Sequence, residues 1–145
     1  MEFGMQFGSM VLGTMTFGDT VDADGARALL DVALDAGVTH IDTANGYSAG
    51  DAERMLADLL TGRRDRVTVA TKAGMYLGDA GGHSPLSPEG LRLSLEASLT
   101  RLGADHVDLY YLHQPDRAAS LHDTLSTVAK LAAEGVLGEV AHLDA

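Results

Sequence analysis

Short apolar runs alternate with longer stretches of helical periodicity along this chain. Apolar or β-branched residues cluster at Met10–Leu12, Val38–Ile41, Val67–Ala70 and Val107–Leu112, and a fifth run covers Val136–Leu143. Runs this short, without an obvious polar face, suit strands of a parallel sheet covered by helices. Between them, Ala26, Leu29, Leu30, Ala33 and Leu34 recur at helical spacing and predict one apolar face. Ala52, Met55, Leu56, Leu59 and Leu60 repeat that spacing in a second helix. A third helix carries Leu91, Leu95, Leu99 and Leu102, with Ser87 as N-cap and Pro88 at its first position. The fourth uses Leu121, Leu125, Val128, Ala129 and Ala132. Each helix is followed by a glycine (Gly37, Gly62, Gly103, Gly135) placed to take the left-handed conformation that ends a helix.

The pattern predicts an α/β fold of four βα units and a fifth strand in a parallel sheet, as one domain spanning residues 1–145. That is half of an eightfold barrel or a small open sheet, and periodicity alone leaves both open. The longest irregular stretch, Gly74–Ser87, follows a strand, where such folds carry substrate loops.

Composition narrows the function. With 46% hydrophobic and 21% charged residues the chain is of globular type. The absence of cysteine excludes thiolate chemistry, disulfides and cysteine-based zinc sites. A formal net charge of −11 argues against nucleic acid or an anionic membrane as a partner. Nothing approaches the ~18 consecutive apolar residues of a membrane span. The start, Met1-Glu2-Phe3-Gly4, lacks the features of a signal peptide, so a cytoplasmic location is expected. The dense basic cluster Arg63, Arg64 and Arg66 follows a predicted helix end, where cations have a structural role. The six histidines show no metal-binding spacing, and no metal is expected.

Four polar residues stand where strands end or their loops begin: Asp42, Tyr47, Lys72 and His113. In a parallel βα array those ends face one side, so the four should converge there. Singly, each has an ordinary structural reading. Together they form a recognisable acid–base set. A phenol next to an ammonium can give up its proton, a carboxylate keeps the ammonium charged, and an imidazole can orient a substrate oxygen.

Several stretches resemble successive landmarks of the aldo-keto reductases. These are Leu12-Gly13-Thr14-Met15-Thr16-Phe17-Gly18, Asp42-Thr43-Ala44-Asn45-Gly46-Tyr47, Ala70-Thr71-Lys72 and the run from Asp108 to Asp116. The glycine-then-glutamate helix start in Gly50–Leu56 and the Ser-Leu and Arg-Leu pairs of Ser94–Leu102 are similar too. The resemblance implies half of a TIM-type (β/α)8 barrel and an NADPH-dependent carbonyl reductase. Tyr47 becomes the proton donor, tuned by Lys72 and Asp42, with His113 orienting the carbonyl.

The chain also departs from that pattern. Where the family carries a Ser-Asn pair for the nicotinamide amide, this chain reads His142-Leu143-Asp144-Ala145, and the family's N-terminal hairpin is reduced to Met1–Ser9. No glycine-rich loop opens a helix as a dinucleotide fingerprint requires. Two other functions therefore stand beside the reductase: a cofactor-independent dehydratase, isomerase or cyclase reusing the tetrad, or a non-catalytic fragment or scaffold. A half-barrel leaves open strand edges, so a homodimer is expected. The substrate is expected to be a small carbonyl or hydroxyl compound, with Met75, Tyr76 and Leu77 lining an apolar wall.

Overall fold

The computed structural model describes residues 10–142. The elements are β1 (Leu12–Gly13), α1 (Ala23–Asp35), β2 (His40–Asp42), α2 (Asp51–Leu59), β3 (Thr68–Ala73), α3 (Pro88–Leu102), β4 (Val107–Leu112), α4 (Leu121–Ala133) and β5 (Leu137–His142). The strands form one sheet in the order β1-β2-β3-β4-β5, and every neighbouring pair is parallel. Strand order follows chain order with no reversal. Right-handed crossovers then put all four helices on one face, as in a barrel wall rather than a doubly wound sheet.

The pleat sorts the side chains. Ile41, Val69 and Tyr110 are buried beneath the helices. His40, Asp42, Ala70, Lys72, Leu109 and Tyr111 alternate with these residues along their strands and line the inner face. The core lies between sheet and helices, with Leu30, Leu56, Leu59, Leu91, Leu95 and Leu131 as its main helical contributors. Among the described residues no helix is long and apolar enough to cross a membrane.

The predicted helix signals have structural counterparts. Asp22, Ser87 and Ser120 cap α1, α3 and α4 through bonds from the Gly25, Gly90 and Asp123 amides. Gly37, Gly62, Gly103 and Gly135 all have positive φ. The basic cluster is structural: Arg63 Nε donates to the Leu59 carbonyl at the end of α2 (2.8 Å), and Arg64 bridges the Val67 carbonyl (2.9 Å) and Asp108 (2.7 Å). The Met1–Ser9 segment lies outside the described residues, as does Leu143–Ala145 of the expected Ser-Asn position.

Three expected faces are corrected. Leu29 of α1 is 46% exposed, since Ala26 and Leu30 meet the sheet. In α4, Leu121 and Leu125 point to solvent while Thr124, Thr127, Val128 and Leu131 are buried. The threonines tolerate burial because their hydroxyls are satisfied. Thr124 donates to the Leu86 carbonyl (2.7 Å) and Thr127 to that of Asp123 (2.8 Å). In α3 the buried face includes Ser94 and Ser98 beside Leu91 and Leu95, a polar layer that a count of leucines does not show.

The Gly74–Ser87 loop is fastened at its far end. Asp116 accepts from Ser84 Oγ and from the Leu86 amide (3.0 Å). Burial pushes its carboxyl up, but these bonds and those from the Ala118 and Ala119 amides hold it below the usual carboxylate range. A Cβ at Gly90 would lie 2.1 Å from the Ser84 carbonyl oxygen, so the first turn of α3 docks on the loop only through glycine. Gly90→Ala should therefore cost about 1–3 kcal/mol of stability, measured by denaturant unfolding. An unchanged midpoint would show that the loop does not pack there.

Candidate active site

The strand register assembles the site. Asp42 ends β2 opposite Ala70, and Lys72 stands one pleat further along β3, opposite Tyr111 of β4. Both therefore face the inner surface near the strand ends. His113 follows β4 directly and is fixed by its amide, which donates to the Ala73 carbonyl (2.7 Å). Tyr47 opens a short 3₁₀ turn, Tyr47–Gly50, in the loop after β2.

Lys72 is the hub. Its side chain is 5% exposed, so each ammonium hydrogen needs a partner. Nζ donates to Asp42 Oδ2 (2.6 Å), to the Thr43 carbonyl (2.8 Å) and to the Tyr47 hydroxyl (3.2 Å). The ammonium also lies 4.8 Å from the Tyr47 ring centroid and 5.7 Å from that of Tyr111. His113 meets the Tyr47 ring edge-on, with centroids 6.2 Å apart and planes at 85°. Burial, helped by the Lys72 charge and opposed by Asp42, holds the His113 imidazole below its ordinary 6.5. It is neutral at neutral pH and so has one N–H to offer an oxygen. The structure thus brings all four predicted residues together: three hydrogen-bonded, the fourth in ring contact.

The predicted substrate loop divides. Met75 and Leu77 are 52% and 65% exposed, while Tyr76 lies against the Tyr47 loop, where a Cβ on Gly46 would be 3.1 Å from Tyr76 Cβ. The turn that carries Tyr47 is strained. Ser48 and Ala49 have φ of 50° and 51°, and Gly50 has φ of 94°. Three successive residues in the left-handed region are costly for any residue but glycine. Ser48 Oγ helps hold the turn by donating to the Phe17 carbonyl (2.7 Å).

A second polar cluster sits behind the first. Arg101 of α3 donates through Nε to Glu53 (2.7 Å) and through both terminal nitrogens to Asp79 (3.0 and 2.6 Å). Glu53 also accepts from Thr71 Oγ1 (2.6 Å), and Asn45 Nδ2 donates to Asp79 (3.1 Å). Sequence reasoning marked Glu53 and Arg101 only within stretches resembling the family and did not bring them together with Asp79, nor did it give a role to the Thr43 carbonyl or Tyr111. Helical spacing could have found Glu53, which is three residues before Leu56 and seven before Leu60, on the apolar face of α2. Tyr111 lies two residues before His113 and so shares its face.

A hollow of about 130 Å³ opens on the inner face below the site, lined by His40, Asp42, Ala70, Leu109 and Tyr111 among others. A larger one of about 440 Å³, near Leu60, Arg64, Leu102 and His106, lies where α2 and α3 end, away from the tetrad. Among the described residues no three His, Asp or Glu side chains are grouped to hold a metal ion.

Comparison with known proteins decides the family. The model of the aldo/keto reductase family matches residues 9–142. The chain belongs to the aldo/keto reductase family. It is 41% identical over 133 residues to human aflatoxin B1 aldehyde reductase member 4, a match covering 90% of this chain and 39% of that protein. It is 35% identical to L-glyceraldehyde 3-phosphate reductase of Escherichia coli, covering 91% and 40%. An aldo-keto reductase from Bacillus halodurans in its holo form superposes with a TM-score of 0.79 at 30% identity, over 92% of this chain and 46% of that one. The chain therefore spans about two fifths of the length of the curated relatives it matches. Its sheet and helices match part of an aldo/keto reductase TIM barrel, as the four βα units and their order require.

Two outcomes test this geometry. Ala49 is exposed, so Ala49→Gly removes strain without removing packing and should raise the unfolding free energy by on the order of 0.5–1 kcal/mol, seen as a higher denaturation midpoint. A lower midpoint would contradict the strain. By NMR, His113 should titrate below 6.5. The stability tied to it is complete above pH 6.5 and is lost as pH falls through the depressed value. A midpoint at or above 6.5 would mean that the imidazole is not buried beside Lys72.

Proposed function

We propose that this chain carries the acid–base half of an aldehyde reductase site in which Tyr47 protonates the carbonyl oxygen. The observation that carries this reading is the bond from Lys72 Nζ to the Tyr47 hydroxyl, made by an ammonium that Asp42 and the Thr43 carbonyl also hold. A donor on the phenol oxygen stabilises the negative charge that develops there as the proton leaves. Asp42 supplies the counter-charge that the buried Lys72 head group needs. Neutral His113, edge-on to Tyr47, offers an N–H that orients and polarises the same oxygen. The substrate oxygen thus sits between phenol and imidazole, and water afterwards returns the proton to Tyr47.

The names of the relatives, aldehyde reductases among them, support a carbonyl substrate. By the same kinship, NADPH when bound would supply the hydride for the carbonyl carbon. The described residues fit one side of that arrangement, the side that meets the carbonyl oxygen. Among them no glycine-rich loop opens a helix as a phosphate cradle would, and the buried cations Lys72 and Arg101 are already bonded to Asp42, Glu53 and Asp79. The steps derived for this chain are accordingly the proton's alone.

With NADPH and an aldehyde, the chain should oxidise NADPH in an aldehyde-dependent way. Tyr47→Phe should lower kcat/KM about 10²-fold or more while leaving the circular dichroism spectrum unchanged, with the melt lowered only as far as loss of one acceptor of the Lys72 ammonium requires. Turnover in the variant equal to that of the parent would remove Tyr47 from the role.

A further inference from the structure

The turn bearing Tyr47 is pressed from behind by a buried side chain that does not touch the reacting atoms. A Cβ at Gly50 would lie 2.7 Å from Arg101 Cδ and Nε, so the arginine runs directly over the left-handed end of that turn. The arginine has no freedom to move aside. Its guanidinium is gripped on one edge by Glu53, whose side chain is 0% exposed, and on the other by both oxygens of Asp79, at 10%. A forked, two-oxygen contact fixes a plane as well as a distance.

The three residues come from different elements, and each carboxylate reaches on toward the tetrad. Glu53 in the first turn of α2 accepts from Thr71, the residue before Lys72. Asp79, in the Gly74–Ser87 loop, accepts from the side chain of Asn45, two residues before Tyr47, and the Asn45 backbone amide in turn donates to the Lys72 carbonyl (3.3 Å). Tyr76 of the same loop rests on Gly46. The loop, the turn and the lysine strand are therefore tied through one guanidinium. Buried ion networks contribute little stability over apolar packing of the same volume, but they admit few alternative geometries.

We infer that Arg101, clamped between Glu53 and Asp79, is a positioning residue that holds the strained Tyr47 turn and couples it to the Gly74–Ser87 loop. Substrate contacts that shift the loop then reach the phenol through Asp79 and Asn45. This role rests on Tyr47 as proton donor, but its physical content, the coupling of two segments, is measurable without turnover.

Amide hydrogen exchange on the full chain tests it. The Tyr47 and Ala49 amides donate to the Ala44 and Gly46 carbonyls (both 3.2 Å), and the Ala80 and His83 amides are bonded within the loop (3.2 and 3.0 Å). In Asp79→Asn, exchange at Tyr47 and Ala49 should rise about tenfold or more together with that at Ala80 and His83, while the β4 amides keep their rates. Asp79→Glu should recover much of the protection. Arg101→Lys, which keeps the charge but loses the fork, should reproduce the Asp79→Asn result. Faster exchange confined to the loop would overturn the proposal, and so would an equal rise across the whole chain. With turnover, kcat should fall about tenfold at a nearly constant aldehyde KM, and a change in KM alone would overturn it. Absence of turnover in the parent bears only on the reductase reading, because the exchange result stands by itself.

Discussion

A single buried ammonium organises this structure. Taking a lysine head group out of water costs several kcal/mol unless its charge and all three donors are answered. At Lys72 they are answered by a carboxylate, a backbone carbonyl and a phenol, contributed by the end of β2 and the loop that follows it. The register of β2 on β3 fixes two of these partners. The third, Tyr47, arrives only because the chain bends back through a left-handed turn. Stabilisation of the ammonium and preparation of the phenol are the same interaction, so the fold cannot relax the first without losing the second.

Around that point the molecule spends its regular structure on support. All helices lie on one face, leaving the inner face for polar residues. Behind the tetrad, the glutamate of α2, the arginine of α3 and the aspartate of the loop form a second polar layer where an apolar core would be expected. The hydroxyl of Tyr110 is buried near that layer, and burial together with the Glu53 and Asp79 charges pushes its ionisation up, so it stays a neutral phenol. One tyrosine is held neutral and remote, and the other is placed on an ammonium. The difference is environment alone.

Much of this was legible in the sequence. Leucine spacing, terminal glycines and the Ser87-Pro88 start located the four helices, because capping and periodicity are local signals. Asp42, Tyr47, Lys72 and His113 stood out because chemistry at strand ends breaks an apolar pattern. The hidden parts depended on three-dimensional partners. Thr124 and Thr127 replace Leu121 and Leu125 on the buried face of α4 only because carbonyl acceptors lie within reach. Glu53, Arg101 and Asp79 are far apart in the chain, and nothing local shows that they meet. The strain at Ser48 and Ala49 carries no sequence mark at all, since neither residue favours the left-handed region.

The chain has two lysines, Lys72 and the exposed Lys130, which makes the central contact directly observable. A nitrogen-15 NMR experiment on the side-chain ammonium groups at neutral pH should show Lys72 as a slowly exchanging signal, held by its three acceptors, that moves or weakens in Tyr47→Phe. A Lys72 ammonium exchanging as fast as that of Lys130, or a signal unaffected by loss of the Tyr47 hydroxyl, would contradict the contact on which the site is built.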